Sequence, residues 1–323
     1  MEFGQIAGID KKVSRLVQGT IMLKKKNAEA GCELLDAVFA AGINAFDTAA
    51  LYGGGDCERV FGQWLESRGH RDQIFIIGKA AHYSEDRNRV TPFDITADLH
   101  DSLARQHTDH IDLFFLHRDD LDVGVGPIVD VLNEHKDAGR IGAFGGSNWS
   151  VQRIQEANEY ADKHGLAPFT ATSPHFSLAV QQEPPWPGCV SLTGDDRAAD
   201  RQWYTANDMP VFAWASLSTG FLTGRLTRQN AEDMRAEIGP DMARSYYHEL
   251  NFERLDRVHE LAQEKGVSVP QLALAWVIQH STLDVYPLVG NANAGECSAN
   301  VKALSIELSE AERDWLNLDS DRR

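Results

Sequence analysis

Eight short runs rich in β-branched and aromatic residues, each followed by apolar positions at helical spacing, constrain this chain more than any other feature. The runs are Val13 to Gly19, Ile43 to Ala49, Ile74 to Ala80, Ile111 to His117, Ile141 to Asn148, Phe169 to His175, Val211 to Ser216 and Val285 to Gly290. Between them lie amphipathic stretches such as Ala28 to Ala41, with Cys32, Leu35, Val38 and Phe39 on one face, and Phe252 to Lys265, with Leu255, Val258 and Leu261. Regular alternation of strand and helix implies a parallel sheet. Eight such units within 323 residues predict an α/β fold of the (β/α)8 TIM-barrel type, a single domain over residues 1–323. An open, doubly wound sheet is the structural alternative.

Two kinds of segment fall outside the eight units. Phe3 to Ile6 and Lys12 to Leu16, joined across Gly8-Ile9-Asp10, predict an N-terminal β-hairpin that closes the barrel floor. Leu217 to Leu250, and Gln181 to Gly194 with its three prolines, are too long for ordinary connections and belong to the face that bears the strand C-termini.

Charge and cysteine usage narrow the function classes. Lys and Arg number 31 against 48 Asp and Glu, a net charge of −17, so the long-range field repels a phosphate backbone and nucleic acid is not an expected partner. No apolar run approaches the roughly 20 residues that span a bilayer, so no membrane partner is expected. The segment Met1-Glu2-Phe3-Gly4-Gln5 lacks the basic and apolar regions of a secretory signal, and Cys32, Cys57, Cys189 and Cys297 are scattered with no close pair. A cytoplasmic setting is the expectation.

Catalytic groups of a barrel stand where its strands end. The second run ends in Asp47 with Tyr52 five residues on, the third in Lys79 and the fourth in His117. A lysine beside a tyrosine favours the phenolate and lowers the phenol pKa from its usual value near 10. Asp47 would keep Lys79 charged, and His117 could donate to an oxygen where negative charge develops. Together the four suit carbonyl reduction, with hydride delivered to carbon and a proton to oxygen.

Phe46-Asp47-Thr48-Ala49-Ala50-Leu51-Tyr52-Gly53, followed by Glu58, resembles the Asp-Thr-Ala-x-x-Tyr-Gly segment of the aldo-keto reductase family, and the likeness runs from Gly19-Thr20 to Asn300. The resemblance implies an NAD(P)-dependent oxidoreductase that interconverts an aldehyde or ketone with its alcohol. It implies Asp47, Tyr52, Lys79 and His117 as catalytic residues, with Tyr52 the general acid. Gly145-Gly146-Ser147-Asn148 is similar to the segment whose Ser and Asn hold the nicotinamide carboxamide, and Trp149 beside it would line the substrate pocket. Ser173-Pro174-His175-Phe176-Ser177-Leu178 stands where relatives have Gln-x-x-Tyr-x-Leu, which implies Ser173 and Phe176 at the nicotinamide, Phe176 stacking on it. Trp214 to Arg225 resembles the loop whose amides cradle the pyrophosphate. That implies cofactor contacts at Ala215, Ser216, Leu217, Ser218, Gly220, Leu222 and Arg225, with Gly19 and Thr20 at the first strand end.

The last strand is followed by Gly290-Asn291 and then Glu296 and Asn300, with no basic residue between Gly290 and Asn300. Asn300 matches a family residue that contacts adenine. Glu296 stands where some relatives place Arg; a carboxylate accepts from ribose hydroxyls and repels a 2′-phosphate, which favours NAD(H) over NADP(H). The same Glu296 equally suits a helix start, where an acid meets the macrodipole. Met22, His82 and Trp149 are the substrate-side candidates, among loop residues that include Tyr83, Arg118, Asp119, Trp186 and Trp203, a mixture that suits a sugar or polyol carbonyl. No metal is expected, because His107-x-x-His110 precedes the fourth strand on the wrong side of the barrel. A non-enzymatic dinucleotide-binding redox sensor resembling channel β-subunits is the alternative, and a metal-dependent barrel a third.

Overall fold

The structure is a computed structural model that describes residues 1–280 and 282–323. Ten strands occur among them: β1 (Phe3–Gly4), β2 (Val13–Ser14), β3 (Val17–Gly19), β4 (Ala45–Asp47), β5 (Phe75–Ala80), β6 (Ile111–Leu116), β7 (Ile141–Ser147), β8 (Ala171–Ser173), β9 (Val211–Ala213) and β10 (Val285–Val289). The strands β3 to β10 pair in parallel and close into a barrel, β10 meeting β3 through Leu288 opposite Val17. This is the (β/α)8 barrel expected from the alternating pattern. The run Val13 to Gly19 is divided, however: β2 pairs antiparallel with β1, and only β3 enters the barrel.

Helices α1 (Ala28–Ala40), α2 (Asp56–Arg68), α3 (Pro92–Arg105), α4 (Val125–Asp137) and α5 (Val151–His164) cover the first half of the barrel. The Thr91 and Ser150 side chains accept from backbone amides of α3 and α5 and so start those helices. Side chains alternate across every strand. Ala45, Phe75, Ile77, Leu113, Phe115, Ala143, Ala171, Phe212 and Tyr286 fill the barrel interior, with Ile6, Ile9 and Val13 of the hairpin closing its floor. Phe46, Ile76, Phe114, Leu116 and Phe144 face outward into the layer under the helices.

Two glycines of β7 allow this packing. A Cβ on Gly145 would lie 2.0 Å from the Ala171 carbonyl oxygen, and one on Gly146 would lie 2.4 Å from the Trp149 ring. The second half carries α6 (Ala198–Ala206), α7 (Ala231–Ile238), α8 (Pro240–Tyr246), α9 (Glu249–Lys265), α10 (Val269–Ile278), α11 (Ala294–Lys302) and α12 (Glu310–Asn317). The two long loops brace one another: Gln182 N–H donates to Ser245 O at 2.9 Å, and Gln181 donates to the Tyr246 hydroxyl at 3.0 Å. No helix among the described residues is long and apolar enough to cross a membrane.

Candidate active site

The alternation that fills the barrel also sets its mouth. Counting two residues on from interior Ala45, Ile77, Phe115, Ala171, Phe212 and Tyr286, and four on from Ala143, gives Asp47, Lys79, His117, Ser173, Trp214, Leu288 and Ser147. All except Ser173 line a cavity of about 650 Å³, together with Gly19, Ile21, Leu51, Tyr52, Gly53, His82, Tyr83, Arg118, Asn148, Trp186, Cys189, Ala215, Thr219, Val289 and Gly290. Tyr52 reaches it from a loop. Thr48 N–H to Ile77 O at 2.9 Å and Ala50 N–H to Lys79 O at 3.0 Å extend the β4 to β5 ladder, and the chain then curls over the mouth through Gly53, Gly54 and Gly55, all at positive φ.

The Lys79 ammonium donates to Asp47 Oδ2 and, at 3.2 Å, to Thr48 O, and both charged side chains are almost wholly buried. Burial alone would lower the Lys79 pKa, but the Asp47 carboxylate and the Tyr52 oxygen outweigh it and hold it above its ordinary value. Lys79 Nζ lies 5.2 Å from the Tyr52 ring centroid, and the His117 ring meets Tyr52 edge-on at 6.0 Å.

The expected lowering of the Tyr52 pKa does not appear. Burial raises it above 10, and the Lys79 ammonium opposes this without prevailing. Burial, then the Lys79 and Arg118 charges, push His117 well below its usual value, so it is a neutral imidazole at neutral pH. Its buried Nδ1 has no partner among the described residues.

Several expected contacts lie elsewhere. Phe176 is buried under the helices against Trp276 and His280, at 5.6 and 5.1 Å between ring centroids, and so cannot stack on a nicotinamide. Trp214 is on the cavity wall, with Tyr52, Tyr83 and Trp186; its indole N–H donates to Asn148 Oδ1 at 3.1 Å. Trp149 is wholly buried, packed on Phe169 at 5.1 Å, and donates to Arg118 O at 3.1 Å, which makes it core instead of pocket wall. Met22 sits beside Gln18 and Gly290, and its neighbour Ile21 faces the cavity. Of the three substrate-side candidates only His82 lines it.

Glu296 serves the helix start. Its carboxylate accepts from Ala292 N–H at 2.8 Å and the Asn293 amide at 2.9 Å, while Asn293 caps α11, so the sequence reading of Glu296 as a selector of NAD(H) loses its free carboxylate. Arg225 pairs with Glu237, and Arg228 with Glu249 and Asp256, each at 2.9 Å. Asn300 donates to Asn291 Oδ1 at 2.6 Å and Asn291 to Gln18 at 2.7 Å, a buried chain that ties α11 to β3. His107 bonds Glu66 and His110 bonds Gly139 O, outside the cavity, and no cluster of three metal-ligating side chains occurs among the described residues.

What remains at the mouth fits a nicotinamide dinucleotide. Trp214 lines the cavity together with Gly19, Val289 and Gly290, and the Ser173 and Thr20 hydroxyls are buried without partners among the described residues. Ala215, Ser218, Thr219 and Gly220 all have positive φ, a conformation that suits a concave backbone able to receive phosphate oxygens. The side chains of Ser216 and Ser218 are bonded to Ala213 O and Ser177, and Leu222 is core, so this loop offers backbone. Ser147 and Asn148 lie on the wall with Ser147 Oγ donating to Ser173 O at 2.8 Å. Sequence reading missed Trp214 as a wall aromatic, along with Leu51, Ile21 and Cys189; two-residue counting from Phe212 would have found the first.

The model of the aldo/keto reductase family matches residues 15–317. Norsolorinic acid reductase stcV of Emericella nidulans is 27% identical over 302 residues, 88% of this chain and 70% of that one. Aryl-alcohol dehydrogenase [NADP(+)] of Phanerodontia chrysosporium is 26% identical, over 90% and 75%, and aldo-keto reductase YhdN of Bacillus subtilis 26%, over 93% and 87%. The solved structure of the thermostable aldo-keto reductase Tm1743 superposes with a TM-score of 0.75 at 20% identity, over 98% of this chain and 99% of that one, and shares the fold. The chain belongs to the aldo/keto reductase family and is an NAD(P)H-dependent carbonyl reductase.

Proposed function

We propose that the chain reduces an aldehyde or ketone carried on a flat apolar framework, such as an aromatic ring, to the alcohol, with Tyr52 as the proton donor. The observation that carries this is the buried Asp47–Lys79 ion pair held beneath the Tyr52 ring, with neutral His117 at its edge. A nicotinamide dinucleotide held at this cavity would supply the hydride that the carbonyl carbon takes. Tyr52 stays a protonated phenol at neutral pH and gives its proton to the carbonyl oxygen as charge grows there. Lys79 stabilises the phenolate left behind, Asp47 keeps Lys79 charged, and the neutral imidazole of His117 orients the same oxygen.

The walls argue for the aromatic class over a sugar or polyol. Ile21, Leu51, Tyr83, Trp186 and Leu288 supply apolar faces. Of the groups that suggested a sugar, Asp119, Trp149 and Trp203 are absent from the wall, with Asp119 bonded to Arg153 at 3.1 Å and Trp149 in the core, while Tyr83 and Trp186 contribute apolar faces. Two relatives, named as an aryl-alcohol dehydrogenase and norsolorinic acid reductase, support the same class. With Glu296 and Arg225 both committed to neighbouring groups, the cofactor is read as a nicotinamide dinucleotide of either kind. The test is nicotinamide absorbance during turnover with benzaldehyde and with an aldose. A kcat/KM at least about tenfold higher for benzaldehyde is expected; the reverse order returns the reading to sugars, and binding without turnover favours the redox sensor.

A further inference from the structure

One buried charge in the cavity has no role in the proton transfer. Arg118 follows His117, lines the same cavity and is only 8% exposed. Its Nη1 donates to His117 O at 2.9 Å, Nη2 approaches Cys189 Sγ at 3.9 Å, and the buried Nε has no partner among the described residues. The carboxylates nearby in sequence and in the cavity are occupied: Asp119 accepts from Arg153 at 3.1 and 3.2 Å, and Asp47 holds Lys79. Among the described lining residues the charges are Asp47, Lys79 and Arg118, so once the first two cancel the cavity keeps one positive charge inside a chain of net charge −17.

A guanidinium held out of water without a counter-charge is costly, and its planar fork matches a carboxylate better than any other small group. Three interactions fix where it sits. The Trp149 indole N–H anchors Arg118 O at 3.1 Å, the Tyr83 ring lies 5.8 Å from the guanidinium, and the Trp186 loop bearing Cys189 covers it. We propose that Arg118 is a substrate-binding residue that receives a carboxylate on the carbonyl compound, so that the preferred substrates are aldehydes or ketones bearing an acid group, an aryl acid foremost. The proposal rests on the carbonyl-reductase reading of the same cavity and narrows its substrate class.

The test compares para-carboxybenzaldehyde with its methyl ester at saturating dinucleotide, which removes the cofactor phosphates as a rival source of the anion. A charge-assisted, two-point contact is expected to favour the acid by about 10- to 100-fold in kcat/KM, mostly through KM. Arg118→Gln should bring the acid-to-ester ratio close to one, and Arg118→Lys, which keeps charge and loses the fork, should leave an intermediate ratio. Equal use of acid and ester by the unaltered protein, or a ratio that survives Arg118→Gln, overturns the proposal. Benzoate titrated against benzamide, read by the fluorescence of Trp186 and Trp214, separates the two levels. If neither aldehyde turns over, the reductase reading fails, yet tighter binding of benzoate that Arg118→Gln abolishes still supports the carboxylate site, and equal binding of the two probes removes it.

Discussion

Replacing Asp47 by Asn removes one charge from a pair whose side chains are 2% and 3% exposed and leaves Lys79 buried without a counter-charge, facing the Thr48 carbonyl at 3.2 Å and the Tyr52 oxygen. Breaking a buried pair on one side costs about 3–5 kcal/mol, and the amide oxygen of Asn keeps one acceptor, so about 3 kcal/mol is expected. With an unfolding entropy of about 2.1 cal/mol/K per residue, 323 residues give about 0.7 kcal/mol/K, so the Tm should fall by about 4 °C. The pH dependence carries the sharper signature. In the unaltered protein the Lys79 pKa is raised, so its contribution is complete below the unfolded value near 10.5 and is lost only as pH rises through the still higher folded value. Without the carboxylate, burial lowers the folded pKa, the unfolded chain binds the extra proton, and stability climbs with pH by up to about 1.4 kcal/mol per unit. Chemical denaturation from about pH 6 to about pH 9 should therefore show a gap between the two proteins that narrows as pH rises. A gap that is constant in pH, or absent, would refute the claim that Asp47 holds Lys79 charged. Pairing the change with Lys79→Met should cost less than the sum of the two single changes, because no lone buried charge remains.

Trp214→Leu should weaken dinucleotide binding in a fluorescence or calorimetric titration by about tenfold, whereas Phe176→Leu should lower stability by about 1 kcal/mol and leave that affinity alone, since of these two Trp214 alone lines the cavity. Because His117 is held neutral and Tyr52 protonated, kcat/KM for reduction should be level from about pH 6 to about pH 8, and alcohol oxidation, which needs the phenolate, should rise with alkalinity; an inflection in reduction near the usual histidine value would contradict this. Glu296→Ala should cost about 0.5–1 kcal/mol of stability through the α11 cap and shift the ratio of NADH to NADPH affinity by less than about threefold; a large shift would restore Glu296 as a cofactor-selecting group.

The residues that the sequence placed well are those for which strand alternation still governs direction. Asp47, Lys79 and His117 follow interior Ala45, Ile77 and Phe115 by two positions, so an apolar run with a polar end already points into the mouth. Beyond a strand that rule lapses. Asn148 has φ of 60°, which turns the chain so that Trp149 enters the core beneath Arg118. Phe176 lies beyond the end of β8 at Ser173 and packs on α10 through Trp276. The hairpin expected over Lys12 to Leu16 overlaps the run Val13 to Gly19, and because both halves are equally strand-like the sequence left open the boundary between β2 and β3. Asn293-x-x-Glu296 did carry its cap in the sequence, as spacing between an amide and an acid ahead of a helix. Whether Tyr52 gains or loses acidity was beyond the sequence, since burial and the Lys79 charge oppose each other and only the packing decides between them.

The central claim is that Tyr52 gives the proton, and the most direct measurement sets turnover of an aromatic aldehyde beside dinucleotide affinity for the unaltered protein and Tyr52→Phe. Losing one hydroxyl removes the donor and almost no volume, so turnover should fall by a factor of about a hundred or more while the dinucleotide dissociation constant moves by less than about twofold. Turnover that survives with the phenylalanine in place would contradict the account.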